Sequence, residues 1–407
     1  MQDEAERLKE IIHLDTELSE VQDLDILLER ILTEARKVTG ADAGSIYIRD
    51  RDDLVFSHVQ NETMQEKLPP GQKLIYSTFR VKINTKSISG YVASTGEALN
   101  IPDVYNLPED APYGFDSSYD KVSNYTTRSM FTVPLKTNTG DIIGVLQIIN
   151  KMDSSRRAVP FNSNDEVFCR HFAGTASMAL QRARLTRALI MRMIQMTELR
   201  DPKETGPHVN RVASYANEIY ERWAKRRSLS KEEVNRKRDI LRMAAMLHDV
   251  GKIAISDILL KKPGKLTSDE YSIIKAHTYL GARLFVDKQS EFDEVASMVA
   301  LTHHENWDGT GYPGRIDIHT GKPLEKDRNG APLPLKGEEI PIFGRVVAVA
   351  DVLDALLSRR VYKCAWGEKD AFDEIRRLSG RKFDPELVDV VFDSADVLRS
   401  ICKRYPD

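Results

Sequence analysis

Near Asn164 the apolar period of this chain changes from that of strands to that of a helix. It then continues through Phe168, Phe172, Ala176, Leu180, Ala183, Ala188, Met191, Ile194 and Leu199 with neither Pro nor, after Gly174, Gly. A pattern this long without a breaker predicts a helix that connects two domains and suits a parallel dimer seam. Asp201-Pro202 ends it, because proline supplies no backbone N–H and disfavours helical geometry in the residue before it. The chain therefore divides into an N-terminal helix over 1–23, a first domain over 24–165, a connecting helix over 166–200 and a second domain over 201–407.

Leu8, Ile11, Leu14, Leu18 and Val21 recur at steps of three and four, so the 1–23 helix presents an apolar stripe that can meet a second copy or its own domain. Residues 45–48, 54–59, 129–135 and 141–149 carry strand patterns, and Thr137-Asn138-Thr139-Gly140 joins the last two as a hairpin turn. A short helix is expected near 90–94, beside a polar loop in 71–120 suited to a ligand pocket. The first domain thus reads as α+β on an antiparallel sheet. After 201 the pattern is helical apart from one long loop, 311–341, and predicts an all-α domain.

With 407 residues, 41% of them hydrophobic and 30% charged, the chain can bury two or three cores. A formal charge of -3 gives no sign of a general nucleic-acid binder. No apolar run approaches bilayer length, since even 346–357 contains Asp351 and Asp354. Met1 opens into charged residues without the apolar stretch of a secretion signal, so a cytoplasmic location is expected. Cys169, Cys364 and Cys402 are too scattered for a disulfide framework or a thiolate zinc site and read as structural.

Five of the nine histidines fall in spaced motifs of the second half, in Glu204-x3-His208, His248-Asp249, His277 and His303-His304, with Asp351 beyond them. A lone histidine is ordinarily a satisfied core or surface residue. Adjacent His-Asp and His-His pairs in apolar segments are different, because burying several titratable groups is costly unless something compensates them. Imidazole and carboxylate together form a nitrogen/oxygen cage for divalent metals. His248-Asp249 follows the apolar stretch 240–247 and precedes Gly251, so the pair should project from a helix C-terminus into a shared cavity. A carboxylate such as Asp249 can bridge two cations, which makes it the natural centre of the cage.

Residues 24 to about 180 resemble a GAF domain, a small-molecule-sensing fold. The likeness rests on Asn150-Lys151, Phe161 and Asp165-Glu166, the NK…F…DE signature of its cyclic-nucleotide-binding members. It implies a cyclic nucleotide or another small ligand, with the Lys and Asp of the signature bracing the fold. Residues 200–400 resemble the HD-GYP family of metal-dependent phosphodiesterases. They carry His208-Val-Asn-Arg-Val, Leu-His248-Asp249-Val-Gly251-Lys252, and His303-His304-Glu305-Asn306-Trp307-Asp308-Gly309-Thr310-Gly311-Tyr312-Pro313, then Leu335-Lys-Gly-Glu-Glu-Ile-Pro341 and Val347-Ala-Val-Ala-Asp351.

That second resemblance implies that His208, His248, Asp249, His277, His303, His304 and Asp351 hold two divalent ions, with Glu204 helping to hold a third. Iron or manganese suits a cage without thiolates. It also implies that Lys252 reaches the scissile phosphate or the nucleophile, with Asp201 standing behind it, and that Tyr312, Arg360 and Lys363 hold the substrate. The chain departs from the family pattern at Val361-Tyr362, at Leu357, by one extra residue before Glu204, and by twenty-one residues, 314–334, expected as a surface loop. The implied activity is hydrolysis of cyclic di-GMP to pGpG and onward to GMP, in a homodimer whose GAF domain regulates it and whose Tyr312 loop can meet a protein partner. Two alternatives stand beside it: a hydrolase of another cyclic dinucleotide such as cyclic GMP-AMP, and a cyclic di-GMP receptor that does not cleave.

Overall fold

A computed structural model of the protein describes residues 16, 18, 20–69, 72, 74, 79–201, 205–358 and 366–406. The expected 1–23 helix falls largely outside these. The chain forms two compact units, Met1–Thr186 and Arg187–Asp407.

In the first unit the helix Leu24–Thr39 starts where the Asp23 side chain accepts from the backbone N–H groups of Asp25 and Ile26, and stops at Gly40 in the left-handed region. The seven-stranded sheet contains β1 (Ala41–Asp50), β2 (Asp53–Asn61), β3 (Arg80–Lys82), β4 (Leu99–Ile101), β5 (Met130–Lys136), β6 (Ile142–Met152) and β7 (Ala158–Val159). Its order is β3-β2-β1-β6-β5-β4, with β7 also on β6, and every pairing is antiparallel. Strand alternation divides the core. Ile46, Leu146 and Ile148 pack with Leu27, Ile31 and Leu32 of the first helix and with Phe172, Ala176 and Leu180 of the helix Ser163–Glu198. Tyr47 and Val145, one position along, turn to the other face and meet Val92 of the helix Ile88–Thr95.

The signature residues brace this unit. Asn150, at φ 54°, accepts from the Arg128 backbone N–H at 2.6 Å and donates to the Tyr125 hydroxyl and the Thr126 carbonyl. Lys151 pairs with Asp165, Phe161 is buried, and the Asn100 amide donates to the Phe161 carbonyl and to Glu166. These bonds tie the end of β6 to the start of the Ser163–Glu198 helix.

The second unit is helical. Its scaffold helices are Gly206–Arg226, Lys231–Met246, Ser268–Lys275, His277–Arg283, Glu291–Thr302 and Ile342–Leu357, with Glu368–Arg377, Pro385–Asp393 and Ala395–Arg404 behind them. Side-chain caps start several: Thr205 and Ser230 each accept from a backbone N–H, and Thr267/Glu270 and Ser290/Asp293 form capping boxes. One core holds them together, from Ile190 and Ile194 through Tyr215, Val299 and Val346 to Leu387.

The inserted residues 314–334 have more order than a plain surface excursion. Isolated bridges join Ile316 to Pro323 and Lys326 to Pro332, and the Asp317 and Asp327 carboxylates each accept backbone N–H groups inside a tight turn. Gly321 lies so close to the Tyr279 ring that a Cβ would come within 2.7 Å of it.

Candidate metal centre

Five histidines and two carboxylates from separate segments converge in the second unit. His208 lies in the first turn of Gly206–Arg226, and His248-Asp249 follow the end of Lys231–Met246. His277 opens His277–Arg283, His303-His304 follow Glu291–Thr302, and Asp351 lies within Ile342–Leu357. Ligand atoms of Asp249, His277, His303 and His304 all lie within 4.8 Å of one another, as do those of His208, His248 and Asp351.

The ring orientations have an identifiable cause. Nδ1 lies 2.8 Å from the Ala245 carbonyl in His248, 2.7 Å from the Ile274 carbonyl in His277 and 3.0 Å from the Val299 carbonyl in His303. A carbonyl can only accept, so each Nδ1 carries the proton and each Nε2 lone pair is turned into the cage. For His208 a carboxylate does the same work: Nδ1 lies 2.8 Å from Asp354 Oδ2, and Arg211 donates to both oxygens of Asp354. Burial pushes the Asp354 carboxyl up, but hydrogen bonds from His208 and Arg211 outweigh it and hold the group below its usual range.

Asp249 joins the two groups. Its Oδ1 faces His277 Nε2 at 3.0 Å and His303 Nε2 at 3.5 Å; its Oδ2 faces His248 Nε2 at 3.5 Å and Lys252 Nζ at 2.8 Å. Burial raises this carboxyl, yet the Lys252 ammonium and the imidazoles of His248 and His277 hold it well below the ordinary range. Asp249 is therefore an anion with each oxygen directed at a different set of imidazoles. Lys252 also reaches Asp201 Oδ2 at 3.3 Å.

The donor set fits divalent cations. Asp249 Oδ1, His277 Nε2 and His303 Nε2 are buried without a hydrogen-bond partner among the described residues, a costly state for polar atoms unless a cation satisfies them. Burial, then the neighbouring imidazoles of His303 and His277, holds His304 well below the usual histidine range, so its ring is a neutral ligand.

Close backbone contact makes this convergence possible. A Cβ on Gly251 would lie 1.9 Å from the His277 carbonyl oxygen and 2.4 Å from the Gly281 nitrogen. Only glycine lets the 3-10 turn Val250–Ala254 approach His277–Arg283 closely enough to set Asp249 against His277.

Tyr312 forms one wall. Its ring stacks on His304 at 4.8 Å, and its backbone N–H donates to the His304 carbonyl. The preceding loop is held by the Trp307 and Asp308 N–H groups, which donate to the carbonyls of Lys382 and Arg381. Glu204, Arg360 and Lys363 lie outside the described residues.

Sequence reasoning missed two buried carboxylates that hold this site. Asp354 follows Asp351 by three in an otherwise apolar helix, and that spacing was a legible signal that one acid would stand behind the other. Glu305 is anchored to Gly314, whose N–H donates to its Oε1 at 2.6 Å, while its Oε2 is buried without a hydrogen-bond partner among the described residues. It thus fastens the start of the inserted segment, and burial pushes its carboxyl up to about 7.

Comparison with known proteins agrees with this division. Residues 23–180 match the GAF domain model and residues 205–356 the HD domain model. The chain is a GAF domain followed by an HD domain. It is 36% identical over 222 residues to "3'3'-cGAMP-specific phosphodiesterase 2" of Vibrio cholerae, covering 54% of this chain and 37% of that protein. It is 39% identical over 219 residues to "Cyclic di-GMP phosphodiesterase response regulator RpfG" of Xanthomonas campestris pv. campestris, covering 54% of this chain and 50% of that protein. A "Cyclic di-GMP phosphodiesterase" of Thermotoga maritima is 37% identical over 212 residues, 52% of this chain and 50% of that protein. The matches thus span half or less of these relatives' length. Every ligand candidate in the two groups above lies within the HD-matched residues.

Proposed function

We propose that the HD domain is a metal-dependent phosphodiesterase that opens cyclic di-GMP to pGpG, and onward to GMP, under the influence of the GAF domain. The observation that carries this reading is Asp249: one carboxylate, held anionic, with its two oxygens directed at separate histidine groups. His208, His248 and Asp351 would hold one ion, and His277, His303 and His304 the other, with Asp249 between them; Glu204 is proposed for a third. Iron or manganese is the proposed metal, since the donors are imidazoles and carboxylates.

Bound divalent cations supply Lewis acidity toward phosphoryl oxygens and make water a nucleophile at neutral pH. The chain's own residues provide the rest. Lys252 is held between Asp249 and Asp201, which fixes its ammonium beside the cage as a point charge for the scissile phosphate. Tyr312 closes one side with an aromatic face, and Arg360 and Lys363 are proposed to hold the remaining phosphate oxygens.

Names of relatives support the substrate class, and two are cyclic di-GMP phosphodiesterases. One relative is named for 3'3'-cGAMP, which favours that dinucleotide as the second reading. We further propose a cyclic nucleotide or other small ligand for the GAF domain, a protein partner at the Tyr312 loop, a homodimer and a cytoplasmic location. No described helix is long and apolar enough to cross a membrane.

The test is metal analysis of protein purified without oxygen, paired with turnover of cyclic di-GMP and 3'3'-cGAMP followed by chromatography. About two or three equivalents of iron or manganese with formation of pGpG are expected. Folded protein that takes up neither metal would overturn the reading.

A further inference from the structure

The geometry points to Lys275 as the residue that reads the guanine base of the substrate, by presenting its ammonium, held against Tyr271 and Tyr312, to the base edge. This rests on the phosphodiesterase reading and deepens it.

Lys275 is the last residue of the helix Ser268–Lys275, two before His277. A lysine at such a position is ordinarily a dipole partner facing water. Here its Nζ instead lies 4.8 Å from the Tyr271 ring centroid and 5.3 Å from that of Tyr312. The two rings meet edge to face at 6.1 Å, and Tyr312 in turn stacks on the ligand candidate His304. Lys275 is half-buried, and no carboxylate forms an ion pair with it among the described residues. Tyr271 is 45% exposed, so the aromatic wall reaches from the cage to solvent.

A half-buried ammonium satisfied only by aromatic faces still has donors to give. The scissile phosphate already has its cation, since Lys252 touches Asp249 at 2.8 Å; Lys275 meets the aromatic wall instead. With Tyr312 covered by His304 and Lys275, the exposed Tyr271 ring is the surface on which a purine can stack, its edge then lying toward the ammonium. Guanine offers two acceptors on that edge, O6 and N7, which a lysine can satisfy together. Adenine offers N7 beside an amine, and the amine's hydrogens face the ammonium unfavourably. Lys275 therefore favours guanine over adenine while leaving the cage untouched.

The experiment compares the full-length protein with Lys275→Met, which keeps the apolar stem without the charge, and Lys275→Arg, which restores a forked donor. Turnover of cyclic di-GMP and cyclic di-AMP is measured on metal-loaded protein, and binding of GMP and AMP on the same preparations by calorimetry. Lys275→Met should reduce the guanine-over-adenine preference about tenfold, chiefly through KM and GMP affinity, with unchanged metal content and melting temperature; Lys275→Arg should recover it. An equal loss on both bases would make Lys275 a phosphate contact, and an unchanged preference would remove it from the site; either result overturns the inference. Wild-type protein that binds GMP through Lys275 yet cleaves neither dinucleotide would defeat the phosphodiesterase reading alone.

Discussion

At the scale of single residues, the site depends on atoms that never touch the cage. Asp354 turns His208 through Nδ1 and is itself gripped by Arg211, all three being buried. Asp354→Asn keeps the shape but weakens the acceptor and removes the anion that the Arg211 guanidinium grips. We expect metal affinity to fall about 10- to 100-fold, as is usual for partners behind a ligand, with lower melting temperature; competition against a chelator measures the first, calorimetry the second. Wild-type affinity in a folded variant would show that His208 needs no such partner. Cys169 illustrates the opposite kind of residue. It is fully buried, and burial pushes its thiol up to about 12. At pH 8 only about one thiol in ten thousand would be ionised, so a thiol reagent should leave Cys169 unlabelled in native protein and modify it in denaturant. Peptide mapping after labelling decides this.

At the scale of elements, spacing and turn chemistry in the sequence disclosed most of what positions the site. The patterns at 45–48, 54–59, 129–135 and 141–149 lie within or overlap β1, β2, β5 and β6, because each of those strands is long enough to show its period. β3, β4 and β7 escaped notice: runs of two or three residues carry no alternation, and only their partners hold them. The histidines were legible as a group because their types and clustering are unusual, and Asp354 was legible only through its spacing from Asp351, whereas Glu305 looks like an ordinary acid until burial is known. Gly251 belongs to the legible part, and it yields a paired prediction. A methyl group there would strike the His277 carbonyl and push the 3-10 turn off the His277–Arg283 helix. Gly251→Ala should cost about 1–3 kcal/mol in denaturant unfolding and diminish metal binding as Asp249 moves. Gly174, inside the Ser163–Glu198 helix, has nothing within 4 Å of a built Cβ, so Gly174→Ala should instead stabilise by about 0.5–1 kcal/mol. A neutral Gly251→Ala would mean that the turn and the helix need not touch.

At the scale of the whole molecule, the helix Ser163–Glu198 is more than a tether. Leu180 and Ala183 belong to the core of the first unit, and Ile190 and Ile194 to the core of the second. Replacing 180–198 with a flexible linker would therefore strip both cores and could not isolate signalling. The opposite stripe offers a cleaner perturbation. Met178, Leu185, Leu189 and Met196, spaced seven, four and seven apart, are each at least half exposed. That spacing keeps them within one narrow face of the helix, the pattern of a seam that closes against another helix. A second copy of the chain would supply the same stripe in register. Arg182 and Arg192 lie at its two edges, so pairing must draw on apolar burial against charge repulsion, and salt should strengthen it. Leu185→Lys with Leu189→Lys adds two cations to that seam without touching Leu180, Ala183, Ile190 or Ile194. In light scattering the parent should have dimer mass and the variant monomer mass, with both retaining the same helical circular dichroism. A variant that stays dimeric would show that this stripe is not what holds two copies together.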